Sequence, residues 1–134
     1  MIRNGKTLTV SIDRSPEEVY AFVSGPENLP KWAPGFCRSV WKVGEVWIAQ
    51  TAEGAMPFRF AARNPFGIVD HYVRAAGREV FNPMRVIPNG SGSEVMFTLF
   101  QGAGMSEEKF QEDEALVRSD LQGLKALLEG SGAP

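Results

Sequence analysis

The chain has 134 residues, of which 43% are hydrophobic and 22% are charged, the size and composition of one folded globular domain. Its formal net charge of -2 offers no basic surplus for a phosphate backbone, so the composition argues against nucleic-acid binding. One cysteine, Cys37, and one histidine, His71, cannot build a thiolate or imidazole metal cage, and no Asp or Glu spacing is typical of a carboxylate metal site.

The beginning of the chain shows no targeting segment. Residues 1–6 lack the apolar core of a signal peptide, and no later stretch is long enough to cross a bilayer. We therefore expect a cytoplasmic protein without a membrane span, and the lack of a disulfide partner for Cys37 agrees with a reducing compartment. Phosphate-binding loops and dinucleotide fingerprints are absent from the sequence, so no cofactor is expected.

The first element is a strand, and a capped helix follows it. Apolar and polar residues alternate over residues 6–14, the period of a half-buried strand. Ser15, Pro16 and Glu18 then form a capping box that predicts a helix start, and the helix should end before Gly25. The proline-rich stretch "PENLPKWAPGF" predicts a short helical turn and a loop that carries Trp32 and Phe36. These two rings either plug one end of the core or line the mouth of a cavity.

Residues 37–101 are predicted to form a meander of antiparallel strands. Apolar runs alternate there with five short turns, which gives six strands and, with the first strand, about seven. The predicted turns lie at Val43-Gly44, Gly54-Ala55, Asn64 to Gly67, Ala76-Gly77 and Pro88 to Gly92.

Two of these hairpins decide where His71 points. If the turn at Asn64 to Gly67 closes one hairpin, His71 faces Phe60; if the turn at Ala76-Gly77 closes the next, His71 faces Asn82. Both assignments place His71 and Asn82 side by side on one apolar surface, with Phe58, Phe60, Ala62, Val69, Val73, Val80, Met84 and Val86.

A buried polar group without a partner costs on the order of 1–3 kcal/mol, so His71 and Asn82 should bond to each other, to water or to a ligand. Either the pair satisfies itself in a closed core, or it is the polar site of a cavity.

The registers of two other hairpins stay open. A two-residue turn at Gly54-Ala55 would place Trp47, Ala49 and Thr51 on the inner face, whereas one bulge would instead place Val46, Ile48 and Gln50 there. The last strand is apolar on both faces, so the inner set is either Val95, Phe97 and Leu99 or Met96, Thr98 and Phe100.

A long amphipathic helix is predicted after the sheet. Ser106 can cap it, and its apolar positions, Phe110, Val117, Leu121, Leu124 and Leu128, recur at three- and four-residue steps. Gly123 lowers the stability of such a helix, so we expect another backbone to approach closely there. Residues 130–134 are predicted to be a frayed tail, and residues 1–134 a single domain.

The predicted fold is α+β: a curved antiparallel sheet that grips the C-terminal helix, with two short helices after the first strand. One helix cannot cover seven strands, so an internal space should remain between helix and sheet. The stretches "SPEEVYAFVSGPENLPKW", "FGIVDHYV…FNPMRVIPNGSGSEVMFTLF" and "SDLQGLKALLEG" resemble a bacterial branch of the START-like helix-grip superfamily, also called SRPBCC or polyketide cyclase/dehydrase-like. The resemblance implies a pocket for a small, mostly apolar molecule and no shared catalytic residue.

Three functions are compatible with these observations. The first is a ligand-binding or carrier protein whose cavity is lined by Trp47, Phe58, Phe60, Val69, His71, Val73, Asn82 and Met84. The second is a cofactor-independent cyclase, dehydratase or isomerase in which His71 moves a proton and Asn82 holds its tautomer or an oxyanion. The third is a module that binds another protein through the outer sheet face, where Tyr72 and Phe81 lie; a homodimer is also possible.

The enzyme needs a second acid or base, and none is evident on the predicted inner face. Glu94 could supply one in a single register of the last hairpin. Cys37 is predicted to be a small packed side chain rather than a nucleophile, because only His71, on a distant strand, could activate it. The arginines at positions 59, 63, 74 and 85 are predicted to lie on a solvated face; one of them turned inward would favour an anionic ligand.

Overall fold

The structure is a computed structural model, and it describes residues 1–130. The strands are β1 (Gly5–Ile12), β2 (Cys37–Val43), β3 (Val46–Thr51), β4 (Gly54–Phe60), β5 (His71–Ala75), β6 (Arg78–Asn82), β7 (Met84–Asn89) and β8 (Gly92–Phe100). The helices are α1 (Pro16–Val23), α2 (Leu29–Trp32) and α3 (Glu107–Gly130), and a 3₁₀ turn, Pro26–Asn28, precedes α2. Gly130, predicted to be frayed, is still helical, and the other residues of the predicted tail, 131–134, lie outside the described residues.

The eight strands form two antiparallel sheets, of order β1-β8-β7 and β2-β3-β4-β5-β6. The predicted α+β architecture, with short helices after the first strand and a long C-terminal helix, is confirmed. The strand count of about seven is corrected to eight, because the stretch predicted as one strand between Ala76-Gly77 and Pro88 divides at Pro83. Proline has no N–H for the ladder, and β6 pairs with β5 while β7 pairs with β8.

Residues 67–69, just before β5, join the two sheets. The N–H of Val69 donates to the carbonyl of Met84 at 2.9 Å, and the N–H of Val86 donates to the carbonyl of Gly67 at 2.9 Å. We call this pairing the seam. It fixes the position of β5, and so of His71, relative to β7 and β8.

Both helix starts have the predicted caps. The Ser15 hydroxyl accepts a hydrogen bond from the N–H of Glu18 at 3.2 Å, and the Ser106 hydroxyl accepts one from the N–H of Lys109 at 3.1 Å. The apolar stripe of α3 faces β1 and α2, where Phe110, Leu121, Leu124 and Leu128 are buried. Within residues 1–130, no helix is both long and apolar enough to span a membrane.

The two hairpins around His71 have the predicted registers. Phe60 pairs with His71, and His71 pairs with Asn82. The turn between β3 and β4 lies at Ala52-Glu53 rather than at Gly54-Ala55, because Thr51 pairs with Gly54. A two-residue displacement preserves the strand's alternation, so Trp47, Ala49 and Thr51 still face inward.

The open register of the last strand is now assigned. In β8, Val95, Phe97 and Leu99 are buried, whereas Met96, Thr98 and Phe100 lie on the other side. Ala62, expected on the inner surface, lies beyond the end of β4 and is exposed. Val80 pairs with Val73 and shares its inner face as expected, although it is 45% exposed because β6 is the last strand of its sheet.

The close backbone approach expected at Gly123 is wrong: a Cβ there would meet no atom within 4 Å. We therefore expect Gly123→Ala to raise the free energy of unfolding by about 1 kcal/mol, because alanine restricts the unfolded chain and favours the helix interior. Urea denaturation of the two proteins, monitored by circular dichroism, measures the difference. An unchanged or lower midpoint would contradict the open surroundings of this position.

Candidate functional site

A cavity of about 440 Å³ lies between α3, α2 and the inner faces of the sheets. This volume is within the range of small-molecule sites. Most of its wall is apolar, contributed by Leu29, Trp32, Ala33, Phe36, Met56, Val73, Ala75, Val80, Phe97, Leu99, Leu116 and Val117. The exposed lining residues, among them Ala52, Glu53, Lys109 and Leu116, place the mouth between the β3–β4 turn and the first half of α3.

Trp32 and Phe36 pack into the core and also line the cavity, so both alternatives predicted for their loop apply. Trp32 is 2% exposed and belongs to the hydrophobic core, and Phe36 packs against that core. Both rings also line the cavity. A proline-rich segment thus closes one end of the space because its large rings need burial.

His71 lies at the inner wall, 7% exposed, with the rings of Phe60 and Phe97 each centred 5.3 Å from its own. Nδ1 lies 3.1 Å from the carbonyl oxygen of Val69, which can only accept, so Nδ1 carries the proton. Burial lowers the pKa of His71, which favours the neutral imidazole at pH 7. Nε2 is then an acceptor, and no hydrogen bond joins it to any of residues 1–130.

Asn82 stands beside His71, on the neighbouring strand β6, and also lines the cavity. It is half-buried. The two side chains do not hydrogen-bond to each other, and the amide of Asn82 has no side-chain hydrogen bond within the described part of the chain. Two adjacent polar groups therefore face an apolar space with bonding capacity left over.

The other predicted contact residues divide into two sets. Val73 lines the cavity with His71 and Asn82. The remaining five lie outside the lining: Val69 and Met84 are buried in the core, and Trp47, Phe58 and Phe60 form a row of rings that leads to His71. The structure thus places these five outside the lining, and their contact with a ligand stays a prediction.

Asp120 is the polar group that the sequence analysis missed. It lies on α3, lines the cavity and is 7% exposed, and its Oδ1 accepts a hydrogen bond from the N–H of Gly35 at 3.1 Å. Burial raises the pKa of this carboxyl from 3.8 to about 6. The expectation that no second acid or base faces the interior is therefore wrong. The signal was available: Asp120 follows Val117 by three residues and precedes Leu124 by four, so it occupies the apolar stripe.

Three charged residues line the mouth: Glu53, Lys109 and Asp113. The ammonium of Lys109 lies 2.6 Å from Oδ1 of Asp113, and the negative charge of Glu53 also helps to raise the pKa of Lys109.

The four arginines predicted to lie on a solvated face are not part of the cavity lining. Arg59 stacks over Tyr72 at 4.0 Å, and Arg63 bonds to Ser24. Arg85 pairs with Asp70, and Arg74 is exposed.

Two further candidates for chemistry do not reach the cavity in reactive form. The Cys37 thiol is buried, and burial together with the charge of Asp120 raises its pKa to about 11, so it stays protonated at neutral pH. Glu94 bonds to Ser11 at 2.6 Å and to Asn89 at 2.9 Å, away from His71. Among residues 1–130, no group of three or more His, Cys, Asp or Glu side chains could hold a metal ion.

Solved structures share this fold. The protein XoxI from Bacillus cereus superposes with a TM-score of 0.76 at 22% identity, over 95% of this chain and 97% of that one. The protein Ara h 8.0201 gives a TM-score of 0.71 at 12% identity, over 93% of this chain and 97% of that one. BexL, described as a di-domain ARO/CYC of the BE-7585A biosynthetic pathway, gives 0.74 at 18% identity, over 98% of this chain and 48% of that one. At these identities the likeness shows the fold alone.

The sequence comparison assigns the family. Among curated proteins, none matches this sequence. Residues 6–129 match the family described as polyketide cyclase/dehydrase and lipid transport, and the match spans every element from β1 into the last turn of α3. The chain therefore belongs to the polyketide cyclase/dehydrase and lipid transport family.

Proposed function

We propose that the protein binds a small, mostly apolar molecule in the cavity and orients one polar group of that molecule at His71 and Asn82. One observation carries the proposal: a cavity with a largely apolar wall contains two adjacent polar side chains that have hydrogen-bonding capacity left over. Apolar surface supplies affinity in such a site, and a few polar groups supply orientation.

The chemistry of the two side chains defines the polar group of the ligand. Nε2 of neutral His71 accepts a hydrogen bond, and the amide of Asn82 both donates and accepts. A hydroxyl group satisfies both side chains at once, because it donates to Nε2 and accepts from the amide. Phe60 and Phe97 flank the imidazole, which holds its plane in place for that bond.

Filling the cavity should abolish binding. Ala75 lies on the same face of β5 as His71 and Val73, and it lines the cavity. We expect Ala75→Phe to weaken the binding of an environment-sensitive naphthalene fluorophore at least about tenfold, because the added ring takes the space of the probe. Fluorescence titration measures the dissociation constant, and mass spectrometry of extracts identifies the molecule that co-purifies with the parent.

The matched control is Arg74→Phe, which adds the same ring to the outer face of the same strand. It should bind the fluorophore as the parent does. Equal binding by the parent and the Ala75→Phe variant, with both proteins folded by circular dichroism, would refute binding in this cavity.

A second candidate is an enzyme of the cyclase, dehydratase or isomerase type, and Asp120 favours it. His71, as a neutral base, and Asp120, as an acid with a pKa near 6, line the same cavity. Recovery of the co-purified molecule unchanged after incubation with the protein supports a carrier. Conversion that disappears in His71→Ala, with binding retained, supports the enzyme.

A further inference from the structure

We propose that the cavity selects ligands that carry a protonated amine and disfavours ligands that carry a carboxylate or a phosphate. This inference rests on the proposed function of the cavity and adds the charge class of its ligand. It follows from the charges of the wall rather than from its shape.

Asp120 is a buried acid without a counter-ion. Its Oδ1 accepts the N–H of Gly35, and within residues 1–130 no lysine or arginine lies in ion-pair distance of either oxygen. An ionised carboxylate in such surroundings lacks the solvation that water would give it. An ammonium group in the cavity would supply the missing opposite charge and up to three hydrogen-bond donors.

Gly35 keeps the space beside this carboxylate open. A Cβ at position 35 would lie 3.0 Å from Oδ1 and 3.2 Å from Oδ2 of Asp120, closer than ordinary contact. Any larger residue would crowd both oxygens. The exposed loop at Gly35 therefore brings a backbone N–H to the carboxylate without covering it.

The remaining charges of the wall give an anion no free partner. Of the described lining residues, Glu53, Asp113 and Asp120 are acidic, and Lys109 alone is basic. The ammonium of Lys109 is already bound to Asp113, and Glu53 also acts on it. The arginines, which bind carboxylates and phosphates in bidentate fashion, lie on the outer face.

The preference for amines should depend on pH through Asp120. Around it, the Cys37 thiol of β2 stays protonated, and burial lowers the pKa of His71 of β5. Lys109 remains paired with Asp113 on α3, and Glu53 comes from the β3–β4 turn. Asp120 therefore changes charge near pH 6, so it is ionised at pH 8 and mostly protonated at pH 5.

Three naphthalene compounds of one shape test the proposal: 1-naphthylmethylamine, 1-naphthalenemethanol and 1-naphthoic acid. By calorimetric titration at pH 8, we expect the amine to bind about tenfold or more tightly than the alcohol, because a charge-assisted hydrogen bond replaces a neutral one. The acid should bind more weakly than the alcohol. At pH 5 the preference for the amine should shrink severalfold.

Asp120→Asn should abolish the preference for the amine and leave the affinity for the alcohol within about twofold, because asparagine still accepts the N–H of Gly35. Glu112→Gln, which removes an exposed charge from the same helix, should keep the preference. If the alcohol binds and the amine binds no more tightly at pH 8, or if the preference survives in Asp120→Asn, the amine proposal is wrong while cavity binding stands. If none of the three compounds binds, the proposed function itself fails.

Discussion

Gly67→Ala is expected to lower the free energy of unfolding by about 3–5 kcal/mol. Gly67 has a φ of 70°, a left-handed conformation that costs alanine about 1–2 kcal/mol. An added Cβ would also lie far inside the contact distance of the Val86 carbonyl oxygen. Relief of that overlap requires the seam to open, which breaks the hydrogen bond from the N–H of Val86 to the carbonyl of Gly67. Urea denaturation with linear extrapolation measures the loss.

Gly77→Ala separates the cost of the left-handed conformation from the cost of the overlap with Val86. Gly77 has a φ of 76°, close to that of Gly67, but a Cβ there would meet no atom within 4 Å. It should therefore cost only the conformational part, about 1–2 kcal/mol. Equal losses in the two variants would show that the overlap at the seam carries no energy, contrary to the packing described here.

The functional consequence of the seam concerns His71. The carbonyl of Val69, which accepts the proton of Nδ1, belongs to the same segment that pairs with Met84. Opening the seam would move this carbonyl away from Nδ1, and the imidazole would no longer be held in the tautomer that carries its proton on Nδ1. The conformation of Gly67 and the hydrogen-bonding state of His71 are therefore coupled through two residues of backbone.

Turn chemistry and alternation were sufficient to place His71. Two-residue periodicity and two turns fix which face each strand presents, so the pairs Phe60–His71 and His71–Asn82 could be predicted without a structure. The turn before β4 was predicted two residues too late, but the predicted inner face of β3 was still correct, because a displacement by two residues leaves the faces unchanged. Helix capping was equally local, and Ser15 and Ser106 act as predicted.

The lining of the cavity could not be predicted from alternation, since alternation gives the face of a residue and not its position along the sheet. Phe58 and Phe60 share a face with Val73, yet they lie outside the lining. The division of the sheet at Pro83 could not be predicted for a different reason: the apolar pattern continues across the proline, and only the missing N–H separates β6 from β7.

Asp120 did not belong to the predicted site because the pattern that predicts α3 consists of its apolar residues alone.

The difference in free energy of unfolding between Asp120→Asn and the parent is expected to shift by about 2–3 kcal/mol in favour of the variant between pH 4 and pH 8. The folded state raises the pKa of this carboxyl from 3.8 to about 6, so the folded protein holds the proton more tightly than the unfolded chain. The favourable contribution of the protonated acid is complete below pH 3.8 and is lost as the pH rises through 6. Asparagine does not titrate, so the variant escapes this loss.

The measurement is urea denaturation of parent and variant at pH 4, 5, 6, 7 and 8, and the quantity of interest is the difference between them at each pH. This difference cancels the titration of every other group that the two proteins share. It should grow between pH 4 and about 6.5 and then level off, since the unfolded and folded pKa values bound the window. Glu112→Gln should give a difference from the parent that stays within about 0.5 kcal/mol at all five values. A flat difference for Asp120→Asn would mean that the carboxylate is solvated or paired in the folded protein, and it would remove the buried charge on which the selection of amines depends.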